Sequence, residues 1–219
     1  MKKLDTDNWF FRAMGVVGDW AIASVLWLVC SLPIITAGAS TLALFAVAHK
    51  MAAKQDYTVT RDFFRAFKRD FRQATLTWLP LLVVFVLLAA DWAFSANMPA
   101  PWGGLLRGVA LVGLAVWALA VCWGFALLAR FTYARGGDAV KNGLQLALHA
   151  PKAAVTVLLL AVWVPVLLSL SVELFTYLLP VILLLAPGGG AWGMARAMRP
   201  QIAEIERKNN YFVDEEEPQ

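Results

Sequence analysis

Long apolar runs broken by hardly a single charge constrain this chain more than any other feature. Gly108 to Ala129 contains no charged residue, Ala74 to Ala96 contains only Asp91, and Ala153 to Ala186 contains only Glu173. About 17 to 25 such residues cross the roughly 30 Å of bilayer hydrocarbon. The third run, as one helix, would be about 50 Å long. That is too long for one crossing, so a hairpin near Ser169, Ser171 and Glu173 is predicted to split it into two short spans. The second of these is expected to kink at Pro180 and to end at Pro187-Gly188-Gly189-Gly190.

Composition closes the other routes. Apolar residues make up 60% of the 219 and charged residues 16%, against roughly 45 to 50% and about 25% in soluble domains. A chain of this size buries only about 70 to 75% of its extended surface, so the apolar surplus must face lipid. Ten Trp and thirteen Phe fit a membrane interface. A secreted disulfide scaffold, a disordered tail and a cytosolic enzyme do not fit.

The first apolar region is interrupted. Trp20 to Leu32 runs into Pro33, and Leu42 to Ala48 resumes after Thr36, Gly38, Ser40 and Thr41. Pro33 stops one helix, and Thr36 or Ser40 can cap the next. The pair is either a spanning hairpin or a re-entrant dip, and a re-entrant turn needs protein around it. A cleaved leader ending at Ala37-Gly38-Ala39 fits poorly, because Asp5, Asp7 and Asp19 make the run-in long and acidic.

Six spans with both ends inside put residues 1–17, 49–73, 130–152 and 191–219 in the cytoplasm. Eighteen of the nineteen Lys and Arg residues then lie inside, Arg107 being the exception. The net charge of +4 follows from this topology, and no nucleic-acid partner is required.

Phe10-Phe11-Arg12-Ala13 recurs as Phe63-Phe64-Arg65-Ala66. Arg61, Arg65, Lys68 and Arg72 form one helical stripe and Phe63, Phe67 and Phe71 another. Such an amphipathic helix suits acyl chains on one side and anionic headgroups on the other, or a docking partner. Residues 138–149 repeat the apolar spacing with Val140, Leu144 and Leu148. The expected fold is an all-α polytopic membrane helix bundle of about six short spans with cytoplasmic amphipathic helices. It suggests a threefold repeat of surface helix plus helix hairpin over 7–52, 61–133 and 138–199. Residues 1–200 form one membrane domain, and 201–219 form a charged cytoplasmic tail, partly disordered.

Chemistry-bearing residues are sparse. Cys30 and Cys122 differ in depth by roughly 20 Å in this layout, beyond disulfide reach. His49 and His149 read as rim residues without the close ligand spacing of zinc sites. The glycine run at 188–190 lacks the Lys and Ser or Thr of a phosphate loop, and no serine-hydrolase or metalloprotease string is present. No catalytic residue, metal ligand or cofactor is assigned. Asp19, Asp91, Arg107 and Glu173 fall near span ends, and Asp91, Arg107 and Glu173 are candidates for an outer-face ion pair. The Pro33, Thr36, Gly38, Ser40 and Thr41 break is the candidate solute site, since broken helices aim their termini at ligands in some transporters.

The run Trp27-Leu28-Val29-Cys30-Ser31-Leu32-Pro33 into Thr36-Ala37-Gly38-Ala39, followed by Phe63 to Ala74, resembles the YesL-type bacterial integral membrane protein family, a domain-of-unknown-function family. The likeness extends over about residues 8 to 200, with Asp70 where that family commonly has Asn. The resemblance implies a non-enzymatic accessory or regulatory component of carbohydrate (ABC-type) uptake in a bacterial inner membrane, with an ABC permease or ATPase subunit and anionic lipid as partners. The alternative is a stand-alone small-solute transporter or channel using the 33–41 break.

Overall fold

The structure, a computed structural model, describes residues 9–95, 97–99, 101–170 and 172–216, with side chains for 14–95, 97–99, 101–161 and 179–207. Every element among the described residues is helical: α1 (Trp9–Ser31), a single 3-10 turn (Ile34–Thr36), α2 (Ala37–Ala53), α3 (Val59–Ser95), α4 (Trp102–Arg130), α5 (Gly136–His149), α6 (Pro151–Leu170) and α7 (Val172–Glu216). Five of these helices are long and apolar enough to cross a bilayer, and the bent pair α5–α6 raises the number to six. The predicted hairpin in the 153–186 run coincides with the junction between α6 and α7. This is a multi-pass membrane bundle.

α2 is the central pillar. It is apolar on all faces, and 56% of its span is buried inside the bundle, against 11% for the spans of α1 and α3. A helix apolar all round must be surrounded, and α1, α3, α4 and α7 all pack on it. The core around it is filled by Leu42, Val47, Phe63, Trp123, Phe125 and Leu127. On the outside, Val83, Val86 and Leu87 of α3 and Leu105, Val109 and Val112 of α4 are exposed. Water would penalise such a surface, whereas lipid accepts it.

Neighbouring helices approach through small residues, as packing in lipid favours. A Cβ on Gly143 of α5 would lie 2.9 Å from the backbone of Trp123 and Gly124 on α4. The buried stripe of α5 is therefore Ala139, Gly143 and Ala147. The expected Val140, Leu144 and Leu148 face sits one position later, and Leu148 is 74% exposed. Close backbone approach selects small residues there, and the larger ones flank the seam.

The expected surface helix at 61–72 takes a different form. Residues 59–95 form one uninterrupted 37-residue helix, about 55 Å long, so its charged first turns project beyond the hydrocarbon. The corresponding residues in front of the first hairpin run straight into α1. Among the described residues, α5 meets the following span at a sharp angle, 111°.

Pro187-Gly188-Gly189-Gly190 does not end the last helix. α7 passes through Pro180, Pro187 and Pro200 and continues to Glu216, so the tail from 201 begins as helix. The reason lies on α1, where the Gly188 N–H donates to the buried Ser24 hydroxyl at 2.9 Å. The missing Cβ lets the Trp20 backbone approach to where that atom would stand 2.4 Å from its carbonyl oxygen. In lipid, a neighbour's hydroxyl that accepts a loosened backbone N–H allows a helix to tolerate proline and glycine.

Candidate functional site

The break at 33–41 is a closed turn. Thr36 occupies the N-cap position of α2, but its hydroxyl does not cap that helix. Instead it reaches the carbonyl of Cys30 in the last turn of α1 at 2.6 Å and that of Pro33 in the turn at 2.8 Å. Ser40 is fully buried and hydrogen-bonds Ser31 across the hairpin and the Ala37 carbonyl at 3.0 Å. Thr41 accepts from the Trp27 indole at 3.1 Å. The Trp78 indole on α3 donates to the Ile34 carbonyl at 2.9 Å, and a Cβ on Gly38 would stand 2.3 Å from the Trp78 Cβ. These polar groups therefore satisfy one another and the helix ends, while Pro33 is exposed outside them.

At the opposite end of the bundle the charges form an ordered layer. Asp62, near the start of α3, accepts from Lys50 of α2 at 2.8 Å and from the Thr58 N–H at 3.1 Å, with Arg65 at 3.8 Å. Burial pushes the Asp62 carboxyl up, but the Lys50 hydrogen bond, the Thr58 N–H and the Lys50 and Arg65 charges outweigh it and hold the pKa below the usual aspartate value. Arg130 of α4 pairs with Glu206 of α7 at 2.5 Å. Arg199 donates to the Ala52 carbonyl at 3.2 Å, and His49 bonds the Ala126 carbonyl at 3.1 Å. Two small cavities of about 180 and 200 Å³ flank His49 and Arg130, one towards Asp62 and one towards Glu206. Tyr57, in the α2–α3 loop, donates to Asp19 of α1 at 2.6 Å. Burial, then that bond and the Asp19 charge, push its phenol up to about 12.

Arg61, Arg65, Lys68 and Arg72 are exposed along one stripe of α3, as the spacing predicts. The phenylalanines divide differently. Phe63 is fully buried in the core, and Phe67 stacks on it with centroids 6.3 Å apart. Phe64 and Phe71 stay exposed. Phe63 and Phe67 thus fasten α3 to the bundle, while Phe71 faces outward.

Of the three residues expected to form an outer-face ion pair, Asp91 and Arg107 have described side chains. Among the described residues Asp91 and Arg107 make no salt bridge, and Arg107 points out exposed. The side chain of Glu173 lies outside the described residues, as do those of Phe10, Phe11 and Arg12. Cys30 and Cys122 are both free. No group of three or more His, Cys, Asp or Glu among the described residues is placed to hold a metal ion.

Two arrangements were not read from sequence. One is the layer of Lys50, Asp62, His49, Arg130 and Glu206. Its sequence signal is weak, because Asp62 and Glu206 each share their basic segment with other acids, such as Asp70 and Glu204. The other is a groove of about 650 Å³ beside α3, running from Arg69, Asp70 and Arg72 down to Val84 and bounded by Tyr133 to Gly137 and Val140. Only the folded position of α5 creates it.

Residues 20–92 match the model of a family described as a protein of unknown function, DUF624, which is the YesL-type family. No curated protein and no solved structure matches the chain.

Proposed function

We propose that this multi-pass membrane protein, whose residues 20–92 carry the DUF624 pattern, is a non-enzymatic accessory or regulatory component of bacterial carbohydrate uptake. It would sit in the inner membrane with both termini in the cytoplasm and bind an ABC permease or ATPase subunit. The observation that carries the reading is the basic layer beyond the spans. The first four turns of α3 project past the hydrocarbon with Arg61, Arg65, Lys68 and Arg72 exposed along one side. Phe63 packing and the Lys50–Asp62 pair lock them to α2. A rigid stripe of cations loses little freedom on meeting an acidic partner, so more of its interaction energy goes to binding. The carbohydrate-uptake part rests on the YesL-type likeness.

Co-purification in mild detergent tests it. Permease or ATPase subunits should be recovered with the wild-type protein, and recovery should fall when Arg61, Arg65, Lys68 and Arg72 are changed together to Gln. Repeated recovery of no uptake component would sink the reading. Transport through the 33–41 break has less support, because the hydroxyls there are engaged with one another and with the helix ends.

A further inference from the structure

We propose that the groove between α3 and the start of α5 binds one anionic phospholipid, with its phosphate held between Arg72 and Arg135 and an acyl chain lying along Leu76, Pro80, Leu81 and Val84.

The walls of the groove change character along its length as a lipid does. One stripe of α3 lines it, beginning with Arg69, Arg72 and Gln73 and passing through Leu76, Pro80 and Val84. From Arg72 to Val84 the helix rises about 18 Å, close to the roughly 15 Å depth of one hydrocarbon leaflet. The polar mouth therefore lies at headgroup level while the apolar walls lie among acyl chains. A volume of about 650 Å³ accommodates the headgroup region and the upper part of a chain.

Charge at the mouth selects an anion. Arg69 is bound through two nitrogens to Asp70, so that pair is neutral. Arg72 and Arg135 are exposed and have no acceptor among the described residues. Two unengaged guanidinium groups offer planar donors suited to a phosphate. Gly136 brings the start of α5 against α3, because any Cβ there would overlap the Thr77 hydroxyl. The backbone of Gly136 and Gly137 adds its N–H dipoles beside the arginines. A soluble phosphate would have no use for the Leu76 to Val84 wall, and an acidic protein segment would not descend into the hydrocarbon beside Val84. Charge complementarity at one end and hydrocarbon at the other together describe a phospholipid.

Native mass spectrometry of the full chain, purified in mild detergent and titrated with dioleoyl phosphatidylglycerol or dioleoyl phosphatidylcholine, tests the assignment. The wild-type protein should retain one phosphatidylglycerol about tenfold more tightly than phosphatidylcholine. Arg72→Gln with Arg135→Gln should remove the preference, whereas Arg61→Gln with Lys68→Gln, on the same helix but off the groove, should keep it. Val84→Trp fills the apolar end with both arginines intact and should also weaken retention. Equal phosphatidylglycerol retention by the wild-type and the Arg72/Arg135 protein overturns the proposal, and so does displacement of the lipid by excess glycerol phosphate or by an acidic peptide. Should a variant fail to elute as a single species, a phosphatidylglycerol with a photoreactive acyl chain decides on the wild-type protein. Labelling concentrated between Leu76 and Val84 supports the site, and labelling spread evenly over the exposed face of α4 overturns it.

Discussion

The ammonium of Lys50 at the end of α2 lies 2.8 Å from the carboxylate of Asp62, which also accepts the Thr58 N–H at the start of α3. One acid thus closes the α2–α3 loop and satisfies part of a helix terminus. Asp62→Ala should cost about 1 to 2 kcal/mol in thermal unfolding in detergent, allowing for the solvent exposure of Lys50. Because the folded carboxyl titrates below its unfolded value, this contribution is complete above the unfolded pKa of about 4. It is lost as pH falls through the folded value. The wild-type minus Asp62→Ala difference should shrink in acid; a constant difference down to acid pH would contradict the assignment.

Tyr57 provides the opposite pH signature. Its phenol is pushed up to about 12, above the unfolded value of about 10, so its bond to Asp19 contributes fully below pH 10 and is lost as pH rises through 12. Tyr57→Phe should be less stable by about 1 kcal/mol near neutral pH. Unfolding curves for the two proteins should converge at strongly alkaline pH.

Glycines at helix crossings should not tolerate a methyl group. Gly143→Ala drives a Cβ into the α4 backbone and should destabilise by roughly 1 to 3 kcal/mol. Gly108→Ala meets nothing within 4 Å and should leave the melting temperature unchanged or slightly raised. Equal melting temperatures for the two variants would refute the close α4–α5 approach.

At the 33–41 turn, Thr36→Val removes the hydroxyl that serves the Cys30 and Pro33 carbonyls. Trp78→Phe removes the donor to Ile34. Each should lower stability by about 1 to 2 kcal/mol. Solute flux in proteoliposomes separates this structural role from a transport role, because a binding site would show altered flux in Thr36→Val at unchanged melting temperature.

Sidedness can be read by labelling single cysteines after Cys30 and Cys122 are replaced by Ala. Lys68→Cys and Lys141→Cys should react from the same side of the membrane, and Pro99→Cys from the other. Labelling of Lys68→Cys and Lys141→Cys from opposite sides would overturn the arrangement of spans.

The spans were legible because lipid imposes a simple requirement of length without charge, which marks 108–129 and places the hairpin in the 153–186 run at the α6–α7 junction. Pro33 was legible as a helix stop for a similar local reason. The run at Pro187-Gly188-Gly189-Gly190 misled, because the hydroxyl that sustains the helix there comes from Ser24, 164 residues earlier. Side-chain periodicity correctly gave the cationic stripe of α3. It could not say whether Phe63 would meet lipid or protein, since that depends on where α2 stands. The groove beside α3 was invisible for the same reason, being bounded by residues about fifty or more positions apart.

The crossing of α1 and α7 also bears on biogenesis. Until the ribosome has delivered Gly188, the Ser24 hydroxyl and the Trp20 backbone have no late-arriving neighbour to receive. Before the last insertion clasps its other side, the opening segment is held chiefly through α2, by the Trp27–Thr41 and Ser31–Ser40 bonds. Truncations stopping short of α7 should accordingly yield products prone to quality-control proteolysis, even though all earlier helices are present.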